Sequence, residues 1–356
     1  MNERNRTMKT HLIRRMLGVA ALAALAAAPA AAQNLTGAGA TFPYPLYSKW
    51  FDVYHEKTGI QINYQSIGSG GGIQQVKAGT VDFGASDAAL SNDRLKEMPR
   101  KVLHFPTVAG AVAIVYNLQG FSGTLKLTPD LLAGIYMGTI TVWNDPKIAA
   151  ANPGVTMPPA PILPIHRSDG SGTTNIFATY LSLVNTQWKE MVGANTAVSW
   201  PAGVGGKGNE GVAGLVRQTP GGIGYVELAY AKQNQLPVAL LRNKAGQFVE
   251  PTLASTTAAV AASAEALAKD VRTPIANSSN PDAYPIAGMT FLLVYKDQKD
   301  ADKGKALADF IRWANSKGQE INETLEYARL PEPVVKVNEA TLMQLRVAGR
   351  PIASTQ

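Results

Sequence analysis

The chain of 356 residues contains no cysteine. No disulfide can form, so stability must come from buried cores even in an oxidising compartment. Histidine is nearly as scarce. His11, His55, His104 and His166 show no metal-ligand spacing, and without cysteine partners no zinc site is expected. Long apolar runs are missing too. One stretch, residues 16–28, is apolar, but a membrane span needs about 20 such residues, and no later segment qualifies. A strong charge of one sign is also lacking. Residues 1–32 hold five of the 33 basic side chains and one of the 26 acidic ones. The remaining 324 residues keep 28 against 25, a net +3. That is too mild for a nucleic-acid partner, and no basic run or basic–aromatic patch argues for one.

What is present begins with Arg4, Arg6, Lys9, Arg14 and Arg15, then the apolar run, then Ala30-Ala31-Ala32. A positive start, a short apolar core and a small-residue cleavage site form a secretory signal peptide. Residues 1–32 are therefore expected to be removed after Ala32, with Met1 or Met8 as the start. The absence of cysteine after the run excludes a lipid-anchored form. The expected product is soluble, exported and monomeric.

The most informative segment is Arg167-Ser168-Asp169-Gly170-Ser171-Gly172-Thr173-Thr174-Asn175. Ile176, Phe177, Tyr180, Leu181 and Val184 follow at the period of one buried helix face. A helix start has free N–H groups and partial positive charge, which suit an anion. Gly170 and Gly172 permit close backbone approach, Ser171 and Thr173 add hydroxyl donors, and Arg167 offers a planar fork. An ordinary helix cap fits the segment equally well. The pattern recurs, however. Gly37-Ala38-Gly39-Ala40-Thr41-Phe42-Pro43 precedes Leu46, Tyr47, Trp50, Phe51 and Tyr54, and Gly68-Ser69-Gly70-Gly71-Gly72 precedes Ile73 and Val76. Three such helix starts converging on one anion would form a strong site; three unrelated caps would be commonplace.

Strand-like and helix-like segments alternate along the chain. Residues 61–67, 81–84, 102–105, 111–116, 162–166, 222–226 and 291–295 read as strands; 130–136 and 305–316 read as helices. Residues 152–164 are proline-rich and read as a loop, and the alanine-rich 255–269 as a surface helix. The alternation indicates an α/β fold with mostly parallel pairing, in two domains, with ligands beyond the carboxyl ends of strands. The three loops and Asp87 all lie in such places.

At this point five segments carry a resemblance. They are Leu35-Thr36-Gly37-Ala38-Gly39-Ala40-Thr41-Phe42-Pro43, Thr80-Val81-Asp82-Phe83-Gly84-Ala85-Ser86-Asp87, Arg167-Ser168-Asp169-Gly170-Ser171-Gly172-Thr173, Gly205-Gly206-Lys207-Gly208-Asn209 and Pro220-Gly221-Gly222-Ile223-Gly224-Tyr225-Val226-Glu227. In this order, from Leu35 to about Pro333, the chain resembles the periplasmic phosphate-binding proteins of high-affinity phosphate ABC importers. The resemblance implies a type II two-lobe clamshell with mixed, mostly parallel sheets. Lobe 1 would be 33–105 plus 288–356, lobe 2 would be 110–281, and the hinge would run through 105–110 and 283–288. It implies inorganic phosphate as ligand, the importer's transmembrane subunits as partners, and no cofactor. Matched by motif, Thr41, Phe42, Ser69, Arg167, Ser171, Gly172 and Thr173 would donate to phosphate. Asp87 would accept the ligand's own proton, and Asp169 would orient Arg167. His166 stands where the family often has arginine, a change expected to alter the field at the mouth.

The chemistry agrees with that assignment. Phosphate keeps a proton at neutral pH and sulfate does not, so a buried carboxylate accepts from the first and repels the second. A site built around a ligand's O–H rejects an analogue lacking it by roughly 10⁴–10⁵. Other motifs are weaker. Gly203-Val204-Gly205-Gly206-Lys207-Gly208 lacks the Ser or Thr of a Walker A loop and reads as a mobile surface loop. Gly37-x-Gly39 and Gly68-x-Gly70 fall short of a dinucleotide fingerprint. Asp87 could instead cap a helix beginning near Leu90. Trp50, Tyr54 and Trp313 read as core. Two rival functions remain: capture of another oxyanion such as sulfate or molybdate, and an exported serine hydrolase. The hydrolase would use Ser171 with His166 or His104 and with Asp87 or Asp169, although no nucleophile elbow surrounds Ser171.

Overall fold

In the computed structural model, which describes residues 34–352, eight strands form one sheet. The expected signal peptide lies outside the described residues. The strands are β1 (Asn34–Gly39), β2 (Gln61–Ser66), β3 (Phe83–Ser86), β4 (Val102–Tyr116), β5 (Leu163–Arg167), β6 (Val204–Gly206), β7 (Gly222–Glu227) and β8 (Ala287–Tyr295). Their spatial order is β2-β1-β3-β8-β4-β7-β5-β6. Each end is a parallel trio: β2-β1-β3 on one side, β7-β5-β6 on the other. The three central pairings, β3·β8, β8·β4 and β4·β7, are antiparallel. The sheet is therefore mixed, with parallel pairing confined to its two ends.

Local chemistry explains the crossovers at those ends. Helix α1 (Tyr44–Thr58) buries Leu46, Tyr47, Trp50, Phe51 and Tyr54. It ends at Gly59, whose φ of 75° lets its N–H close on His55 O. Trp50 and Tyr54 are core as expected, while Trp313 packs against that core only partly buried. Helix α2 (Ser69–Ala78) buries Ser69, Gly72, Ile73 and Val76 and follows β2 directly. On the other side, α3 (Gly172–Val184) follows β5, and α4 (Gly208–Gln218) follows β6. All four helices start at carboxyl ends of strands, where an open α/β sheet presents its ligands.

Two expectations about the elements are corrected. Residues 102–105 and 111–116 are not separate strands but parts of β4, fifteen residues that are all buried. Pro106 interrupts the sequence pattern because it has no N–H for the ladder. The chain absorbs this by a register shift: Thr290 lies opposite Val108 and Phe291 opposite Pro106, which leaves Thr107 as a bulge. Thr107 is held by Tyr47 Oη at 2.6 Å, and its hydroxyl donates to Thr290 O. The alanine-rich segment is likewise two helices, Leu253–Ala262 and Ala264–Lys269, and not one surface helix. Ala259, Val260 and Leu267 are buried in the same apolar cluster as Met289 and Phe291 of β8. Small side chains allow that close packing, and they also hid it from an apolar count.

Candidate anion-binding site

The site is built where the starts of α2, α3 and α4 meet the ends of β3 and β5. Arg167, the last residue of β5, is 3% exposed, and its backbone N–H donates to Tyr225 Oη at 3.1 Å. That tyrosine is fixed by stacking on Phe177, 4.3 Å between ring centroids. The guanidinium is tied to Asp169 as a fork: Nε to Oδ1 at 2.8 Å and Nη2 to Oδ2 at 2.5 Å. Gly208 N–H also donates to Asp169 Oδ1, at 3.0 Å. Burial works to raise the Asp169 carboxyl, but the Arg167 hydrogen bonds and charge, with the Gly208 amide, hold it below the usual range. Nη1 reaches Thr173 Oγ1 at 3.4 Å. Three of the five guanidinium N–H groups are thus used, and two have no acceptor among the described residues.

Asp87 follows β3, and its carboxyl feels the charge of Arg167. Its Oδ1 accepts from the Thr290 hydroxyl at 2.6 Å, and its N–H donates to Ser69 Oγ at 3.1 Å. Ser69 Oγ lies 3.4 Å from Oδ2. Burial pushes the Asp87 carboxyl up to about 7, against the lowering pull of Thr290, Arg167 and Ser69. It caps no helix. The next one, Asn92–Lys96, is capped by Ser91.

The segments touch closely. Gly70 N–H donates to Gly170 O at 2.8 Å. A Cβ on Gly172 would sit 2.5 Å from Asp87 Oδ2 and against Ser69 Oγ, so only glycine fits there. Ser171 caps α3 by accepting from Thr174 N–H at 2.9 Å. The N–H groups of Phe42, Gly172 and Thr173 have no acceptor among the described residues. All nine residues expected from the sequence, Thr41, Phe42, Ser69, Asp87, Arg167, Asp169, Ser171, Gly172 and Thr173, therefore lie at these converging segments. The arrangement brings hydroxyl, amide and guanidinium donors close to a buried carboxyl whose proton is held up to about 7, groups that suit an oxyanion carrying a proton.

Sequence reasoning missed three further groups. Asn209, fully buried, bridges Thr41 Oγ1 and Thr173 Oγ1 at 2.7 and 3.1 Å. The sequence predicts the glycine run before it as a mobile surface loop. Gly203–Gly205 are exposed, but Gly206 belongs to β6, and Gly208 and Asn209 are buried at the site. The family resemblance of Gly205-Gly206-Lys207-Gly208-Asn209 is the sequence signal for this group. Thr290 gave none, because only strand pairing brings it to Asp87. Glu227, fully buried, lies beside Phe42 and accepts from Tyr327 Oη at 2.8 Å. Burial pushes its carboxyl well above the usual range, and its Oε1 has no partner.

The hydrolase reading does not survive this geometry. His104 Nε2 accepts from Leu90 N–H at 2.9 Å, and burial pushes its pKa down to about 4. His166 stacks on Trp200, and its Nδ1 lies 3.1 Å from Arg167 O. Neither histidine hydrogen-bonds to Ser171 among the described residues, so no base is placed to activate it.

Comparison with known proteins decides the family. A model of the PBP superfamily domain matches residues 25–317. The phosphate-binding protein PstS of Xylella fastidiosa is 48% identical over 308 residues, covering 86% of this chain and 84% of that one. This chain belongs to the phosphate-binding proteins of the PBP superfamily. The homologous protein of Pasteurella multocida is 46% identical over 310 residues, 87% of this chain and 90% of that one. Among solved structures, a high-affinity periplasmic phosphate-binding protein bound with phosphate matches with a TM-score of 0.71 at 23% identity. That match covers 89% of this chain and 97% of the other. The fold is that of the two-lobe periplasmic binding proteins.

Proposed function

We propose that this protein captures inorganic phosphate between two lobes and delivers it to an ABC importer without chemical turnover. The observation that carries this reading is the pairing of a donor ring with Asp87. Arg167 and the amides of Phe42, Gly172 and Thr173 meet the charged oxygens, and Thr41, Ser69, Ser171 and Thr173 add hydroxyls. Asp87 takes the ligand's proton. Donors to a charged group contribute about 1.5–3 kcal/mol each, so several together outweigh the cost of association.

In this reading, lobe 1 is 33–105 plus 288–356, and lobe 2 is 110–281. The lobes turn about 105–110 and 283–288, which lie in and just before the paired strands β4 and β8. The Gly70–Gly170 and Thr41–Asn209 contacts then join opposite lobes and correspond to the closed form. The transmembrane importer subunits read that closed surface. The signal peptide directs the mature, monomeric chain to the periplasm; among the described residues no helix is long and apolar enough to cross a membrane. Calorimetric titration with phosphate and with sulfate tests the reading. Tight, saturable heat with phosphate and none with sulfate is expected. No binding of phosphate, or equal binding of both, overturns it.

A further inference from the structure

Asn209 sits at the start of α4 with no exposed surface, and its hydrogen bonds account for every polar atom of its amide. The Glu227 N–H donates to Oδ1 at 2.9 Å. A backbone N–H can only donate, so this bond fixes which end of the amide is oxygen. The Nδ2 end therefore faces the binding loops. One of its hydrogens goes to Thr41 Oγ1 at 2.7 Å and the other to Thr173 Oγ1 at 3.1 Å. Both hydrogens are spent, so the amide itself has nothing left to offer an anion.

The consequence lies in the two threonines. Thr41 Oγ1 accepts from Asn209 Nδ2 and, at 3.2 Å, from Asn209 N–H. Thr173 Oγ1 accepts from Asn209 Nδ2 and, at 3.4 Å, from Arg167 Nη1. A hydroxyl has two acceptor positions and one hydrogen. In each threonine both acceptor positions face groups that can only donate. The hydroxyl hydrogen must then point away from Asn209 and Arg167. Without such a partner a hydroxyl rotates freely and can present a lone pair, which repels an anion, as readily as a hydrogen.

We propose that Asn209 is a positioning residue that turns the hydroxyl hydrogens of Thr41 and Thr173 toward the bound anion. It acts on both loops at once, one preceding α1 and one opening α3. The inference rests on the phosphate reading of the site. Its distinctive content is polarity: a donor at position 209 makes two donors at the ligand, whereas an acceptor there captures those hydrogens.

Asn209→Asp tests this in the full mature chain, titrated calorimetrically with inorganic phosphate across pH, alone and combined with Thr41→Val. The carboxylate keeps the size of the amide but accepts. Affinity is expected to fall by about 100-fold or more near neutral pH, since each redirected hydroxyl counts for roughly tenfold or more. The deficit relative to the parent at each pH should shrink as the solution is acidified and the introduced carboxyl regains a proton. Thr41→Val should cost roughly tenfold in the parent and less than about twofold in Asn209→Asp, whose Thr41 hydroxyl is already lost to the ligand. A deficit independent of pH, or a Thr41→Val cost that is the same in both backgrounds, overturns the proposal. If circular dichroism shows Asn209→Asp unfolded, Asn209→Ala carries the same cycle. There the Thr41→Val cost should fall at least about threefold below its value in the parent, and equal costs overturn the proposal. Absence of phosphate binding by the parent protein overturns the phosphate reading instead, and this inference with it.

Discussion

Asp87→Asn removes a buried carboxylate that the proposed site needs and the fold does not. Burial lifts that carboxyl from 3.8 to about 7, a difference of about 3 pH units at about 1.4 kcal/mol each. The folded form therefore holds a proton where the unfolded chain has already released it. The associated stability is fully present below 3.8, is lost progressively as pH rises toward about 7, and is gone above it. An amide does not titrate. Its oxygen can keep the Thr290 hydroxyl, now at 2.6 Å, and its NH₂ can face Ser69 Oγ, now 3.4 Å away. Without ligand, the variant should match the parent near about pH 4 and exceed it by up to about 4 kcal/mol at about pH 8. Differential scanning calorimetry of phosphate-free protein across that range reads the gap directly. The same variant should bind phosphate more weakly and exclude sulfate less, because an amide can donate where the carboxylate repels. A melting gap that is constant with pH would refute the claim that Asp87 takes up its proton on folding. Sulfate exclusion as strong as in the parent would place selectivity elsewhere.

Three further outcomes are expected. Arg167→Ala removes two donors aimed at the ligand and leaves Asp169 unpaired beside an anion. Phosphate affinity should drop by about 3–6 kcal/mol, and an unchanged calorimetric constant would remove Arg167 from the site. Gly172→Ala places a methyl group against Ser69 Oγ and Asp87 Oδ2. It should weaken phosphate binding at least about tenfold while leaving most of the fold's stability intact, so an affinity equal to the parent's would show that the segments need not meet this closely. Small-angle scattering should record a smaller radius of gyration with phosphate than without it, since the ligand can satisfy both sets of donors only in the closed form. An unchanged radius in a sample with confirmed binding would favour a preformed site.

The local parts of this protein were legible in its sequence. Gly and Ser/Thr before an apolar helical period announced the starts of α1, α2 and α3, because helix periodicity and backbone freedom are properties of a few adjacent residues, and at α3 Ser171 also caps the helix. The arginine–aspartate fork was also readable, since Arg167 and Asp169 are two positions apart. Family resemblance then assigned Asp87 and Thr41 to one site with that fork, 80 and 126 residues before Arg167. The tertiary structure alone decided how the middle of the sheet is made. Pro106 and Gly110 look like a break, yet pairing with β8 from Val102 to Ala111 carries β4 straight through them, with the bulge at Thr107 taking up the mismatch, and β7 pairs with it from Val112 onward. The pairing of β8 with β3, Phe291 opposite Ser86, then brings Thr290 to Asp87. Asn209 was hidden for the same reason. Its neighbours Thr41 and Thr173 lie 168 and 36 residues away, and no local pattern of side chains encodes a hydrogen bond over such distances. A sequence states what each short segment can donate or accept; only the packed fold decides which donor meets which acceptor.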